Sequence, residues 1–396
     1  MARVIVHIDL NAFYVRAEEL KDPSLEGKAV AIGHNGRAGV VSTCSYEARK
    51  YGVHSALPMN QAIKLCPHLI VIPGDYRFYA ALSYEFKSFV RTYTKYVEEA
   101  SIDEVFADFT DALKGVKDIK QYFIDFQANL LEKTGLKCSI GIAPTKFLAK
   151  MGSDYQKPMG ITIIRRKDIK TLLYPLPIND LFGVGKKTAP RLENIGIRTI
   201  GDFATRINNG DPDVYNILGK FAYELKSWVN GYGDDKVITE AEDAKSIGNS
   251  TTLKEDTNDI DVIEEAFSYL ASQVSYHSKK EDKYGTTIQI MVKDTTYQSH
   301  NKSITFDTPT NKYKDILKYA LLLFKKNYQN LMVRALGITL QNLVSPKDFA
   351  VQMTFFDYEQ HEEENKTKLI INEINRKIKG MKLMRASEVK DENGID

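Results

Sequence analysis

The stretch SIDEVFADF, residues 101–109, sets two adjacent carboxylates, Asp103 and Glu104, at the start of an apolar alternation that reads as a β-strand. Neighbours on a regular strand face opposite sides, so both acids serve one ion only at a bend or hairpin end. A short strand expected at residues 98–100 supplies the other arm of such a hairpin. Far upstream, residues 4–8 alternate as a buried strand running into Asp9. A carboxylate leaving an apolar strand is costly to desolvate unless paired, protonated or bound to a cation. If the bend lies beside the end of that first strand, three carboxylates converge in an oxygen site suited to Mg²⁺ rather than zinc. Two Mg²⁺ ions are the usual apparatus of in-line phosphoryl transfer.

Outward from these acids, Asn11 reads as the cap of a helix through Ala12, Val15 and Leu20. Residues 21–75 look like an inserted lobe, with strands at 29–32 and 39–43 and short helices around Tyr46 and Gln61. Helices at 79–92, 119–131 and 145–151 alternate with strands at 138–143 and 160–164, so the first 165 residues read as an α+β sheet domain. From 174 to 228 the pattern changes to short helices broken by glycines, and 230–249 reads as a linker. Helices at 261–275 and 316–328, with strands at 285–294, 302–306 and 333–343, give two helices over a small sheet. In the last fifty residues, Leu369, Ile370, Ile374 and Ile378 fit a helix.

The 396 residues carry 54 Lys and Arg against 52 Asp and Glu, the composition of an ordinary soluble multidomain protein. Disordered, collagen-like and disulfide-scaffold classes are excluded. No apolar run approaches the roughly 20 residues of a membrane span. The start, MARVIVHIDL, fits neither a signal peptide nor a lipidation motif, so a cytoplasmic location without membrane contact is expected. Cys44, Cys66 and Cys138 lack CxxC spacing and read as core thiols. Between residues 271 and 350, twelve Lys and Arg face six Asp and Glu, a basic excess that suits a polyanion.

Other residues share the chemistry of holding phosphate. Tyr46 and Arg49 stand at i and i+3 on one helix face, where a phenol and a guanidinium can both donate to a triphosphate. Lys157 precedes a proline as a compact mobile charge. In LFGVGKKTAP, residues 181–190, Gly183 and Gly185 flank an apolar residue and Lys186 and Lys187 follow, a helix-hairpin-helix pattern whose exposed N–H groups bind phosphate without reading bases.

Together these segments resemble the Y-family of translesion DNA polymerases, near its bacterial DNA polymerase IV and UmuC branches. HIDLNAFYVRAEE (7–19), GVVSTCSYEARKYGV (39–53), SIDEVFADF (101–109), SIGIAPTKFLAKMGSDYQKPMG (139–160) and the hairpin stretch follow the family's order and spacing across the first 240 residues. The resemblance implies a right-hand arrangement in an α+β multidomain chain. A ferredoxin-like palm takes residues 1–22 and 78–175, small fingers 23–77, and a helix-hairpin-helix thumb 176–236. A linker spans 237–245, a little finger 246–346, and a tail 347–396. Asp9, Asp103 and Glu104 would be catalytic, holding two Mg²⁺ ions with the Leu10 carbonyl. Phe13, Thr43, Tyr46, Arg49 and Lys157 would hold the deoxynucleoside triphosphate, and Tyr14 would be the steric gate against a 2′-hydroxyl. Ser42 would lie in the roof over the templating base. Gly183, Gly185 and Lys186 would contact primer-template DNA.

Many relatives carry Asp where this chain has Asn11, a position the family does not use as a metal ligand. Gln352, Phe355 and Phe356 resemble the clamp-binding pentapeptide Q-x-x-L-F, with Phe in place of Leu, so a sliding clamp is an expected partner of a monomeric enzyme. Two rivals remain at this point: an accessory factor without catalysis, which retention of all three acids disfavours, and a hairpin-containing nuclease or glycosylase, which leaves Tyr14, Tyr46, Arg49 and Lys157 without a role.

Overall fold

The computed structural model describes residues 3–240 and 243–346. The chain divides into two compact units at the boundary between Asp243 and Ala244.

The first unit is built on a five-stranded sheet in the order Val97–Glu99, Glu104–Asp108, Ile5–Leu10, Cys138–Ala143, Ile161–Ile163. Ile5–Leu10 and Cys138–Ala143 are buried along their whole length, including the polar side chains of His7, Asp9 and Ser139. One face carries Val6, Ile8 and Leu10 into a core shared with Tyr79, Phe86, Phe123 and Phe126 of the helices Tyr76–Arg91 and Ile119–Thr134. The helix Lys146–Tyr155 covers the other face, its N-terminus capped by Thr145, whose Oγ accepts from the Leu148 N–H. Close approach fixes this helix. A Cβ at Gly141 would collide with the Ala149 carbonyl and the Ser153 N–H, so glycine lets helix and strand touch.

Between the helix Phe13–Lys21 and the helix Tyr76–Arg91 lies the inserted lobe, a three-stranded sheet in the order Val41–Cys44, Val30–Gly33, Ile70–Ile72 with helices Tyr46–Arg49 and Met59–Leu65. Cys44 and Cys66 are buried in its core, and Cys138 in the larger one. After the sheet come the short helices Ala189–Glu193, Ile200–Asn208, Pro212–Leu218 and Phe221–Val229. Trp228 stacks on Phe147 of the sheet's covering helix, centroids 5.3 Å apart.

The second unit runs strand, helix, strand, strand, helix, strand. Ser246–Thr257, Tyr284–Asp294, Ser299–Thr310 and Val333–Val344 form an antiparallel sheet under the helices Ile260–Lys280 and Tyr313–Asn327. No helix among the described residues is long and apolar enough to cross a membrane.

Two expectations need correction. Asn11 does not cap the first helix: the N-cap is Ala12, in the left-handed region, with no side-chain bond. The buried Asn11 amide is instead satisfied by Ser139 Oγ, to which it donates at 2.9 Å, and by the Met159 N–H, which it accepts at 2.8 Å. The stretch 230–249 is not linker throughout, because Ser246–Thr257 is a strand paired along Val333–Val344.

Candidate active site

Asp9 leaves the sheet on the side of the Lys146–Tyr155 helix, because it alternates with Ile8 and Leu10. Its register partner on the neighbouring antiparallel strand is Glu104. Asp103 lies in the turn that joins Val97–Glu99 to Glu104–Asp108. That turn is the bend the acidic pair requires. The Asp103 carbonyl accepts the Leu10 N–H at 3.0 Å, and its carboxylate accepts from Ser101 Oγ at 2.6 Å.

These acids open on a cavity of about 350 Å³. Asp9, Leu10, Asp103 and Glu104 line it together with Phe13, Tyr14, Ser42, Thr43, Tyr46, Arg49 and Lys157, and Ala12, Ser55 and Ile102 fill the rest of the wall. Ser45 Oγ caps the short helix that carries Tyr46 and Arg49, and the Arg49 guanidinium lies over the Tyr46 ring at 4.7 Å. Ser42 meets the hydroxyl of Tyr76 at 3.2 Å across the lobe. Gly183, Gly185 and Lys186 are not part of this cavity's lining. Gly183 turns at φ +92, where a side chain would strike Phe221, and Lys186 lies 3.5 Å from His54 Nε2. Gln352, Phe355 and Phe356 lie outside the described residues.

The sequence reading missed three residues here: Lys150, Asp154 and His7. Lys150 Nζ reaches Glu104 at 2.6 Å, Asp9 at 3.2 Å and Asp154 at 3.3 Å. Lys157 Nζ reaches Asp9 at 2.8 Å and Asp154 at 2.9 Å. The i+4 and i+3 spacing of Asp154 to the two lysines was the available signal. His7 is fully buried, and Ser153 Oγ lies 2.7 Å from its Nδ1. Ser153 spends its proton on the Lys150 carbonyl at 2.9 Å, so it accepts from His7 Nδ1–H. That leaves Nε2 an unpartnered acceptor, 3.9 Å from Glu104. Burial, reinforced by the Lys150 charge, pushes His7 down to about 3 and keeps it neutral.

Burial also opposes charge on Asp9, but the Glu104 hydrogen bond and the two ammonium groups outweigh it and hold Asp9 down at about 2. Glu104 moves the other way: burial and its bond with Asp9 push it up to about 7 against the pull of Lys150. The pair thus retains one proton up to near neutral pH. Only oxygen donors are on offer for a metal, the carboxylates of Asp9, Asp103 and Glu104 and the Leu10 carbonyl, a set that fits a hard divalent cation. Positive charge at the acids is supplied by the lysines, and among the described residues no three acidic, imidazole or thiol groups stand grouped as a metal site.

Comparison with known proteins places the chain in a family. The pattern of the impB/mucB/samB family matches residues 8–154, the IMS family HHH motif residues 166–197, and the impB/mucB/samB family C-terminal domain residues 244–355. DNA polymerase IV of Bacillus velezensis is 39% identical over 98% of this chain and 93% of its own length. DNA polymerase IV 1 of Bacillus subtilis is 38% identical over 97% and 92%. Among solved structures, a Y-family DNA polymerase chimera of Dbh and Dpo4 covers 86% of this chain and 99% of its own at 26% identity, with a TM-score of 0.74. The chain belongs to the impB/mucB/samB family, the Y-family of DNA polymerases.

Proposed function

We infer that this protein is a template-directed DNA polymerase of the translesion type, of low fidelity and tolerant of damaged template. The observation that carries this is the meeting of Asp9, Asp103 and Glu104 with Tyr14, Arg49 and Lys157 around one cavity, in a chain 39% identical to a DNA polymerase IV along nearly its whole length. Its substrates are primer-template DNA and deoxynucleoside triphosphates.

Asp9, Asp103 and Glu104 would hold two Mg²⁺ ions, with the Leu10 carbonyl as a further ligand. When bound, such ions activate the primer 3′-hydroxyl and neutralise charge on the departing pyrophosphate. Tyr46 and Arg49 donate to the triphosphate from the lobe, Thr43 and the Phe13 N–H from beside it, and Lys157 moves from Asp9 to the phosphates. The Tyr14 ring lies beneath the sugar and excludes a 2′-hydroxyl, and Ser42 leaves room above the template base.

Residues 1–22 and 78–175 act as palm, 23–77 as fingers, 176–236 as thumb and 246–346 as little finger. Gly183, Gly185 and Lys186 bind the DNA backbone. Gln352, Phe355 and Phe356 dock a sliding clamp, and the enzyme works as a cytoplasmic monomer.

Primer extension by the purified chain on damaged and intact templates, with and without Mg²⁺ and a sliding clamp, tests this reading. The expected result is Mg²⁺-dependent synthesis past a lesion, raised by the clamp and lowered to the clamp-free rate when Phe355 and Phe356 become Ala. Absence of templated synthesis would overturn it. Equal loss with and without the clamp in the double variant would remove the docking motif.

A further inference from the structure

The two lysines beside the acidic pair differ in placement. Lys157 lines the cavity, where a triphosphate can draw it away from Asp9. Lys150 comes from the helix Lys146–Tyr155, with only 12% of its side chain exposed. An ammonium group has three N–H donors. Those of Lys150 bond Glu104 and Asp9, and Asp154 stands 3.3 Å from the same nitrogen as a third carboxylate. With Lys157 it closes a ring of alternating charge, Lys150, Asp9, Lys157 and Asp154, from which Glu104 hangs by the shortest contact, 2.6 Å.

Two ionised carboxylates in register on adjacent strands repel each other, and a cation or a shared proton between them relieves it. A solvated lysine on a helix face would not be shared among three of them. We propose that Lys150 is the internal counter-cation of this site: it holds Asp9 and Glu104 together while no divalent ion is bound, and it restrains the affinity of that pair for divalent cations. The proposal rests on the reading of Asp9 and Glu104 as ion ligands. Lys150 is in this sense a positioning residue. Its fixed charge lets the ion-free enzyme stay folded and leaves tight ion binding to the moment when a nucleotide brings further negative charge.

The test uses the full chain without nucleotide, as wild type, Lys150→Gln, Lys150→Met and Lys150→Arg. Thermal unfolding is followed in EDTA and in Mg²⁺, and Mn²⁺ binding by the resonance of the free ion. Both uncharged variants are expected to melt several degrees below wild type in EDTA, to recover most of that loss in Mg²⁺, and to bind Mn²⁺ about tenfold more tightly. Lys150→Arg keeps the charge and should follow wild type in its ion dependence. Equal destabilisation in EDTA and Mg²⁺, or Mn²⁺ affinity that is unchanged or weaker, would overturn the proposal. A double variant, Asp9→Asn with Glu104→Gln, separates the two readings. If it binds Mn²⁺ like wild type, the ligand assignment fails; if it loses Mn²⁺ while Lys150→Gln is unaltered, only the counter-cation fails.

Discussion

Tyr14 lies flat on Tyr79, with ring centroids 4.4 Å apart and planes 16° from parallel. Tyr76 stands edge-on to both. Tyr79 is fully buried, and its hydroxyl donates to the nearly buried Glu18 at 2.7 Å, a carboxylate that Lys21 also meets at 3.3 Å. The cavity-side ring is therefore backed by a buried ring held by a hydrogen bond. A ring without room to retreat can exclude a hydroxyl by contact alone.

Removing that ring should open the floor of the cavity. Tyr14→Ala is expected to raise kcat/KM for ribonucleotides relative to deoxynucleotides by at least about tenfold, a transition-state difference of about 1.4 kcal/mol. An unaltered sugar ratio in single-nucleotide incorporation would take Tyr14 out of the gate.

The backing ring depends on its hydroxyl. Tyr79→Phe keeps the stack but leaves the Glu18 carboxylate short of a donor, at a cost of about 1–3 kcal/mol in urea denaturation. A loss smaller than about 0.3 kcal/mol would mean that Lys21 alone satisfies Glu18.

Contact between the Lys146–Tyr155 helix and the sheet sets where Lys150 arrives. Gly141→Ala forces a methyl group against the Ala149 carbonyl and should destabilise the chain by about 2–3 kcal/mol. Full stability in chemical denaturation would show that the helix can shift freely and that the close approach is unimportant.

Glu104 makes the ion-free protein sensitive to pH. Its folded value is raised to about 7 from an ordinary 4.5. The unfolded chain therefore releases this proton first, and stability falls as pH rises between those two values. Gln cannot ionise, so Glu104→Gln in EDTA should gain on wild type by about 1–2 kcal/mol between pH 5 and pH 8, after allowance for solvent access. Parallel stability curves for the two proteins would contradict the raised value. Asp9, held down at about 2, loses its contribution only in strong acid, outside this window.

What the residues reveal on their own depends on how local their physics is. Asp9 stands out because an acid at the end of an apolar strand violates the burial rule, and Asp103 and Glu104 because adjacent acids need a bend to share one site. Cys138–Ala143 is legible because a short, mostly apolar run, broken only by Ser139, fits a buried strand. The strand Ser246–Thr257 hides because only Ile247 and Leu253 along it are buried apolar positions, and pairing with Val333–Val344 decides its state. Asn11 misleads because its amide serves Ser139 and Met159, partners more than a hundred residues away, instead of the helix beside it. Lys150 looks like any lysine on an amphipathic helix until the strand ends carrying Asp9 and Glu104 are brought against it.

If Asp9, Asp103 and Glu104 act together as the ion-binding acids of nucleotidyl transfer, loss of any one of them stops incorporation. Single-turnover incorporation of one deoxynucleotide by Asp103→Ala in Mg²⁺, measured beside its affinity for the same primer-template duplex, tests it most directly. Incorporation should fall to background while duplex affinity stays within about twofold of wild type, since removing an ion ligand spares the contacts to the DNA backbone. Incorporation at the wild-type rate would contradict the account.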